Sequence, residues 1–284
     1  MRRVITKEEN VPGGFLRFCY HTRIGGVLLR LLTARWLSKT AGFLLDRGVS
    51  KCLVKGFIKR NGIDMARFEA GPFKSFNAFF TRQLLPEYFS VDADDDSFVS
   101  PSDGKISVYR IDKDRTFEIK GYTYTVESLT RDVFLAEKYA DGLCIVVRLA
   151  VDDFHRYIYI DDCSHSGEKF IRGKLHTVQP VALAARRVFT ENCRAVTVLH
   201  TKNFGDVAQI EVGATMVGRI VNNHDKGDFS RGDEKGKFEF GGSTIVLLVE
   251  KDRVSLDPEF FENTANDSET VVRCGECIGK RLNN

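Results

Sequence analysis

The sequence has no apolar run of the length that a membrane-spanning helix requires. Such a helix needs about 20 predominantly apolar residues, and the most apolar stretch here, residues 24–45, is interrupted by arginine, lysine and the pair Gly25 and Gly26. No apolar segment follows the basic residues near the start, so we expect no signal peptide. Internal repeats and low-complexity tracts are also missing. These absences argue against a membrane-spanning or repetitive architecture.

The cysteines do not form a pattern that predicts disulfides. There are 7 of them, scattered along the chain, and an odd number without regular spacing favours a reducing compartment. Cys274 and Cys277 form a lone C-x-x-C pair. A zinc site needs a second pair of ligands, and none stands at a suitable spacing. The sequence therefore predicts no metal site.

Charge is unevenly distributed along an otherwise ordinary globular composition of 43% hydrophobic and 29% charged residues. Residues 1–60 contain 13 Lys and Arg against 3 Asp and Glu. The formal net charge of the chain is +3, so this basic end of +10 leaves −7 for the remainder. Such asymmetry predicts a polyanionic partner, either nucleic acid or an anionic membrane surface.

Residues 15–85 have helical character, with apolar residues at helical spacing and basic residues between them. Basic amphipathic helices that carry aromatic side chains can lie in a membrane interface. The alternative is that they pack on the rest of the protein and leave a solvated basic face. Near the end of this region, Phe76, Phe79 and Phe80 share one helical face, and Ser75 is suited to cap that helix.

Beyond an acidic connector at residues 86–100, short β-like runs alternate with turn signals, and one helix-like segment covers residues 180–190. The β-like runs lie at residues 106–112, 116–120, 143–151, 154–160, 194–199, 207–212, 215–221 and 243–250. We therefore predict an α+β fold. Residues 1–90 would form a basic, helical, membrane-associating region, and residues 91–284 a β-rich, mainly antiparallel catalytic domain.

Four short stretches contain residue types that catalysis uses. Taken singly, each has an ordinary explanation such as a turn or a strand bend. His155 and Arg156 at a strand boundary fit an acid/base group beside an anion-binding group, and they equally fit a structural histidine. The stretches are residues 100–105 (SPSDGK), 152–157 (DDFHRY), 213–220 (GATMVGRI) and 232–244 (GDEKGKFEFGGST).

In this order, the four stretches resemble the phosphatidylserine decarboxylase family. Residues 76–84 are similar to the segment that precedes the family's catalytic domain, and Gly205 with Asp206 leads into a similar run at residues 211–214. The resemblance is closest to compact bacterial members with a Gly-Gly-Ser-Thr cleavage motif. It implies decarboxylation of phosphatidylserine to phosphatidylethanolamine and CO2, a step of phospholipid biosynthesis.

The resemblance also implies the cofactor. Loss of CO2 from an amino-acid headgroup leaves electrons at Cα that protein side chains cannot take up, so an electrophilic cofactor is required. In this family it is a pyruvoyl group, a protein-bound pyruvate that Ser243 would become. The Ser243 hydroxyl would attack the carbonyl carbon of Gly242 and convert the peptide bond to an ester. Elimination would leave dehydroalanine, and hydrolysis would give pyruvoyl and ammonia.

This maturation would divide the proenzyme between Gly242 and Ser243 into a β chain of residues 1–242 and an α chain of residues 243–284. Glycine before the serine suits the reaction. A serine hydroxyl that attacks the carbonyl carbon of the preceding residue needs an unusual backbone conformation and unobstructed access to that carbon. The serine also needs a base. Family members use an Asp-His-Ser arrangement similar to that of serine hydrolases, and Asp103 matches the family's aspartate.

The histidines depart from the family pattern, which has two histidines three residues apart. His155 matches the first and is the best-matched general acid for returning a proton to Cα. Ile158 occupies the second position and cannot take a proton. We prefer the interpretation that His176, in a motif that lines the family's site, supplies the missing imidazole. The alternatives are that His155 does both tasks, or that the chain is an unprocessed, non-catalytic lipid-binding relative.

Two further expectations concern the substrate and its surroundings. The motifs also fit a pyruvoyl decarboxylase of a soluble amino acid, but the basic N-terminal helices favour an anionic lipid and a peripheral position on the cytoplasmic face of the cell membrane. Arg156 is a candidate for binding an anionic group of the substrate. No nucleic-acid recognition motif accompanies the charge, so we expect no nucleic-acid partner. The resemblance implies a homodimer.

Overall fold

The computed structural model describes residues 2–6, 14–33, 35–214, 219–239, 241 and 243–282. Its helices are α1 (Gly14–His21), α2 (Arg23–Leu32), α3 (Arg35–Leu45), α4 (Cys52–Asn61), α5 (Phe76–Phe80), α6 (Val126–Thr130), α7 (Val133–Lys138), α8 (Pro180–Leu183), α9 (Val188–Glu191) and α10 (Pro258–Ala265). Short 3-10 helices lie at Gly48–Lys51, Met65–Arg67 and Pro86–Tyr88. No described helix is both long enough and apolar enough to cross a bilayer.

Short strands are frequent in the chain after residue 96, and one further strand, β1, lies near the N-terminus. They are β1 (Val4–Ile5), β2 (Ser97–Val99), β3 (Gly104–Arg110), β4 (Thr116–Ile119), β5 (Tyr122–Thr125), β6 (Leu143–Leu149), β7 (Arg156–Ile158), β8 (Cys163–His165), β9 (Glu168–Ile171), β10 (Arg194–Thr201), β11 (Gly205–Val212), β12 (Ile220–Asn222), β13 (Gly227–Phe229), β14 (Glu234–Phe238), β15 (Ser243–Val249), β16 (Val254–Leu256), β17 (Glu269–Val272) and β18 (Cys277–Arg281).

A large antiparallel sheet has the strand order β1-β17-β3-β6-β15-β11-β10-β8-β13, with β9 also paired to β10. Two three-stranded sheets, β12-β14-β7 and β16-β18-β2, and the β4-β5 hairpin complete the strands. Helices near the N-terminus combine with these mainly antiparallel sheets, so the predicted α+β class is confirmed.

Most predicted strands are present, with shifts of a few residues at their ends. The helix expected at residues 180–190 is instead divided into α8 and α9, because the chain leaves helical geometry at Arg187, whose φ is −77° and ψ is 66°. Of the strand expected at residues 215–221, residues 215–218 lie outside the described residues, and the remainder enters β12. Residues 1–90 are predicted to be helical, but Val4–Ile5 forms a strand that pairs with β17 in the large sheet. Within the described part of that region, the first helix begins at Gly14.

Strand β15 lies in the middle of the large sheet and is buried along its whole length. Successive side chains of a strand point to opposite faces, and both faces here are apolar. Ile245 and Leu247 enter one hydrophobic core, and Val246 and Leu248 enter the other. This explains why the run is apolar without alternation.

A third apolar cluster connects the N-terminal helices to the strand β7. Helix α5 begins where the Ser75 hydroxyl accepts a hydrogen bond from the Ala78 N–H (3.1 Å), as the sequence predicts. Phe79 and Phe80 are fully buried, and Ile158 packs in the same cluster. This packing places α5 directly beside the residues that follow β6.

We predict that Gly236→Ala in β14 lowers the free energy of unfolding by about 1–3 kcal/mol. A Cβ at this position would lie 2.3 Å from the Val221 carbonyl oxygen and 2.7 Å from the Tyr157 hydroxyl, in the middle strand of its sheet. Urea unfolding measures the change. The matched control is Gly56→Ala in α4, where a Cβ meets nothing within 4 Å and helix propensity favours alanine. Equal unfolding midpoints for the two variants would contradict the prediction.

Candidate active site

Ser243 is the first residue of β15 and is fully buried. It pairs with Leu149, the last residue of β6, so the ladder between the two strands fixes its position. Gly242, predicted to supply the carbonyl that the serine attacks, lies outside the described residues. The serine therefore stands at the strand end, at the place where the predicted cleavage would occur.

His155 reaches Ser243 because the chain turns sharply after β6. The Asp153 N–H donates to the Ala150 carbonyl oxygen (3.1 Å), and the Asp153 carboxylate accepts from the Ala150 N–H (2.7 Å). Lys105 holds that carboxylate with an ion pair of 2.7 Å. The turn changes the direction of the chain after β6, so the His155 imidazole lies beside Ser243, the first residue of β15.

The hydrogen bonds of His155 define its tautomer. Nε2 is 2.9 Å from the Ala150 carbonyl oxygen, which can only accept, so Nε2 carries the proton. Nδ1 is then an acceptor, and it lies 3.4 Å from the Ser243 hydroxyl. The Phe80 ring covers the imidazole, with 4.1 Å between ring centroids. A fully buried serine thus faces the free lone pair of a fully buried imidazole.

The surroundings of His155 keep it uncharged. Burial lowers its pKa to about 3, the hydrogen bond to Ala150 opposes this, and the positive charges of Arg82 and Lys105 lower it further. A neutral imidazole is the form that can accept a proton from a serine hydroxyl. His155 therefore stays in the form that can accept a proton from the serine.

Asp103 is buried at the start of β3, but its described hydrogen bonds are not with His155. One oxygen accepts from Arg67 (3.1 Å) and Arg273 (3.1 Å), and the other accepts from the Cys274 N–H (2.9 Å). These contacts join three separate segments of the chain at one carboxylate. Among the described contacts, the hydrogen bond that orients the imidazole is the one to the Ala150 carbonyl oxygen.

Ile158 lies beside the segment that carries Asp103. Its N–H donates to the Pro101 carbonyl oxygen (2.9 Å), and its side chain, 2% exposed, packs in the third apolar cluster with Phe154 and Cys274. The position that holds the family's second histidine is thus filled by an apolar side chain next to the aspartate. Burial also raises the pKa of the Cys274 thiol well above its usual value, so this neighbour does not supply a ready base.

His176 has other partners than Ser243. Its Nδ1 lies 3.3 Å from the Tyr20 hydroxyl, and its Nε2 lies 3.4 Å from a carboxylate oxygen of Glu191. Burial lowers its pKa to about 4, against the opposing effect of Glu191. The described contacts therefore place this histidine between α1 and α9, and none of them is a hydrogen bond to the serine.

Arg156 borders a cavity of about 280 Å³, whose lining also includes Phe154 on the other side of His155 in sequence. Its guanidinium is already engaged, because Nη1 lies 2.7 Å from Glu234 and Nε donates to the Thr81 carbonyl oxygen (2.9 Å). The remaining lining is mostly apolar and includes Phe154 and Ile158. The cavity can accommodate a group that is largely apolar, and Arg156 has little free capacity for an anion.

The sequence pattern indicates no role for Arg82 or Lys105, although both lie in stretches that resemble the family. Arg82 is 2% exposed and lies between the rings of Phe68 (4.0 Å) and Phe79 (4.9 Å), and it donates to the Asp152 carbonyl oxygen (3.1 Å). Burial lowers its pKa to about 10. Sequence periodicity cannot reveal that these two charges lie near His155, because only tertiary packing brings them there.

The described residues contain no group of three or more His, Cys, Asp or Glu side chains that could hold a metal ion. All seven cysteines are free thiols.

We predict that stability falls as the pH is lowered from about 6.5, because two histidines are neutral when folded. The folded pKa values of about 3 for His155 and about 4 for His176 lie below the unfolded value near 6.5, so the unfolded chain binds more protons. Each histidine costs up to about 1.4 kcal/mol per pH unit between those limits. Urea unfolding of the Ser243→Ala chain at pH 7 and pH 5 measures the slope.

The matched variants in that background are His176→Gln, which removes a buried histidine, and His21→Gln, which removes an exposed one. The first should reduce the pH dependence and the second should leave it unchanged. Identical slopes in both variants would show that the buried imidazole is not held neutral.

The sequence of the chain matches proteins of one known family. Residues 76–280 match the family model described as phosphatidylserine decarboxylase. The chain is 42% identical over 274 residues to phosphatidylserine decarboxylase proenzyme 2 of Clostridium acetobutylicum, covering 96% of this chain and 94% of that protein. It is 38% identical to the phosphatidylserine decarboxylase proenzymes of Clostridium botulinum, over 97% of this chain and 96% of that one, and of Desulfitobacterium hafniense, over 96% and 94%. The chain belongs to the phosphatidylserine decarboxylase family.

Proposed function

We propose that this chain is a proenzyme that cleaves itself before Ser243, converts that serine to a pyruvoyl group and decarboxylates phosphatidylserine to phosphatidylethanolamine. The observation that carries the proposal is the buried Ser243 hydroxyl, 3.4 Å from the acceptor nitrogen of a neutral His155. Family membership supports the activity, and the names of the relatives as proenzymes support processing.

In the maturation step, His155 takes the proton of the Ser243 hydroxyl while the oxygen bonds to the carbonyl carbon of Gly242. The bond from that carbon to the Ser243 nitrogen breaks, and the nitrogen receives a proton. We assign the base to His155 rather than to His176, because the described contacts of His176 are with Tyr20 and Glu191. The Ala150 carbonyl oxygen stabilises the imidazolium that forms, since it accepts from Nε2.

The site suits a pyruvoyl group made in place. Ser243 is buried at a strand end, and a hydrogen-bonding imidazole stands beside its side chain. The group would supply the electron acceptor that decarboxylation requires. His155 would then hold the proton that Cα needs once CO2 has left. An anionic substrate beside the imidazole raises its pKa, so the same residue can act as a base in the proenzyme and as an acid in the mature enzyme.

The N-terminal helices support a lipid in its bilayer as the substrate. Within α1–α4 and the 3-10 turn before α4, large apolar side chains are exposed beside exposed basic residues such as Arg23 and Lys55. The apolar residues are Phe15, Phe18, Ile24, Val27, Phe43, Leu44, Val49 and Leu53. A surface of this kind inserts apolar groups at the interface while its cations attract anionic headgroups. These residues support our proposal that the enzyme is peripheral to the membrane, on its cytoplasmic face.

We predict that the purified chain gives two masses under denaturing conditions, residues 1–242 and residues 243–284, with the smaller one changed from serine to pyruvoyl. His155→Gln should prevent cleavage as fully as Ser243→Ala, because both remove a partner of the proton transfer. His176→Gln should mature at a rate close to that of the unsubstituted chain. Intact-mass spectrometry over time measures each rate. Cleavage in His155→Gln together with its loss in His176→Gln would overturn the assignment of the base.

We predict that Ile24→Ser with Val27→Ser lowers affinity for phosphatidylserine vesicles by about tenfold or more, because both side chains are more than 60% exposed on α2 and would bury in the interface. Vesicle sedimentation measures binding. Release of CO2 from a short-chain, water-soluble phosphatidylserine should be unchanged. Phe134→Ser on α7 removes an 83% exposed ring and is the control. An equal loss of binding in the control, or activity on free serine alone, would contradict the membrane assignment.

A further inference from the structure

The first described residues, 2–6, form a short arm that pairs with β17 through β1. We call residues 2–6 the N-terminal arm. Every hydrogen bond and ion pair described for residues 2–5 is with a residue after Ser243. The arm belongs to the larger predicted fragment, whereas all of these partners belong to the smaller one.

Arg2 is the centre of this contact. Its Nε lies 2.5 Å from Glu276 and its Nη1 lies 2.7 Å from Asp257, and Nη1 also contacts Glu259. Its Nη2 donates to the Cys277 carbonyl oxygen (2.7 Å), and the guanidinium stacks over the Phe260 ring at 4.8 Å. Three carboxylates that would otherwise repel one another therefore converge on one cation.

The backbone of the arm adds a second kind of contact. Val4 pairs with Thr270 and Ile5 with Glu269, and the Val271 N–H donates to the Arg3 carbonyl oxygen (2.8 Å). Strand β1 thereby covers one side of β17, whose other side pairs with β3. Without the arm, β17 would be an edge strand, and edge strands open more readily than central ones.

We propose that the N-terminal arm is a clasp that retains the C-terminal cleavage fragment, residues 243–284, in the mature enzyme. The inference rests on the proposed cleavage before Ser243. A fragment of this size has too little core to remain folded alone, so its retention depends on contacts with the larger fragment. Strand β15 anchors the first residues of the fragment between β6 and β11, and β18 pairs with β2 near its other end. The arm adds contacts to the middle of the fragment, at α10 and β17.

The test uses the full chain without an N-terminal tag, matured and purified, in moderate urea. Size-exclusion chromatography with mass detection follows the loss of residues 243–284 from the complex over time. Arg2→Gln should speed this loss by about tenfold, since it removes charged hydrogen bonds to three carboxylates. Arg3→Gln is the matched control, because it makes the same charge change at an exposed neighbour whose backbone pairing is retained.

Two further variants sharpen the test. Deletion of residues 2–6 should speed the loss more than Arg2→Gln, because it also uncovers β17. Arg2→Lys should fall between Arg2→Gln and the unsubstituted chain, since one ammonium keeps the charge but not the planar geometry that reaches several acceptors. The rate of self-cleavage should be the same in all of these chains, because the arm has no described contact with Ser243 or His155.

The possible outcomes distinguish a failure of the clasp proposal from a failure of the proposed function. Loss of the fragment at the same rate in Arg2→Gln, Arg3→Gln and the deletion would overturn the clasp and leave the decarboxylase assignment intact. A single full-length mass for the unsubstituted chain would overturn both proposals together. Faster loss in Arg2→Gln and in the deletion, with Arg3→Gln unchanged, supports the clasp.

Discussion

The backbone hydrogen bonds that hold β15 between β6 and β11 position Ser243, because this serine is the first residue of the strand. Pairing on both sides prevents a shift in register, which would turn every side chain to the opposite face. The same pairing buries the two faces of β15 in two apolar cores. A peptide bond broken immediately before the strand leaves all of this intact, so a cut chain can keep the geometry of an uncut one.

Burial at His155 has two effects that support each other. It holds the imidazole neutral, and it isolates the Ser243 hydroxyl from water that would compete for the same lone pair. Arg82 contributes positive charge from between two phenyl rings, at the cost of its own desolvation. The buried guanidinium is tolerated because aromatic faces and backbone carbonyl oxygens replace part of its hydration. Negative charge brought in by a substrate would change this balance in favour of the protonated imidazole.

Local patterns were sufficient for the fold class, most strands and the Ser75 cap, since each depends on neighbours in sequence. The proximity of Ser243 and His155, 88 residues apart, followed only from family resemblance. The preference for His176 depended on its place in a motif that lines the family's site, whereas its described contacts are with Tyr20 and Glu191. Strand β1 has two residues and leaves no periodic signal, so its pairing could not be predicted.

The partners of Asp103 have a consequence for the order of events during synthesis. Arg67 precedes the aspartate in sequence, whereas Arg273 and Cys274 lie after Ser243. Until the residues after Ser243 have been synthesised and have folded, the carboxylate lacks two of its three partners, and β17 and β18 have not joined their sheets. The segment that carries Asp103 is thus completed from the far side of Ser243, so this part of the fold forms late in synthesis relative to the helices that precede it.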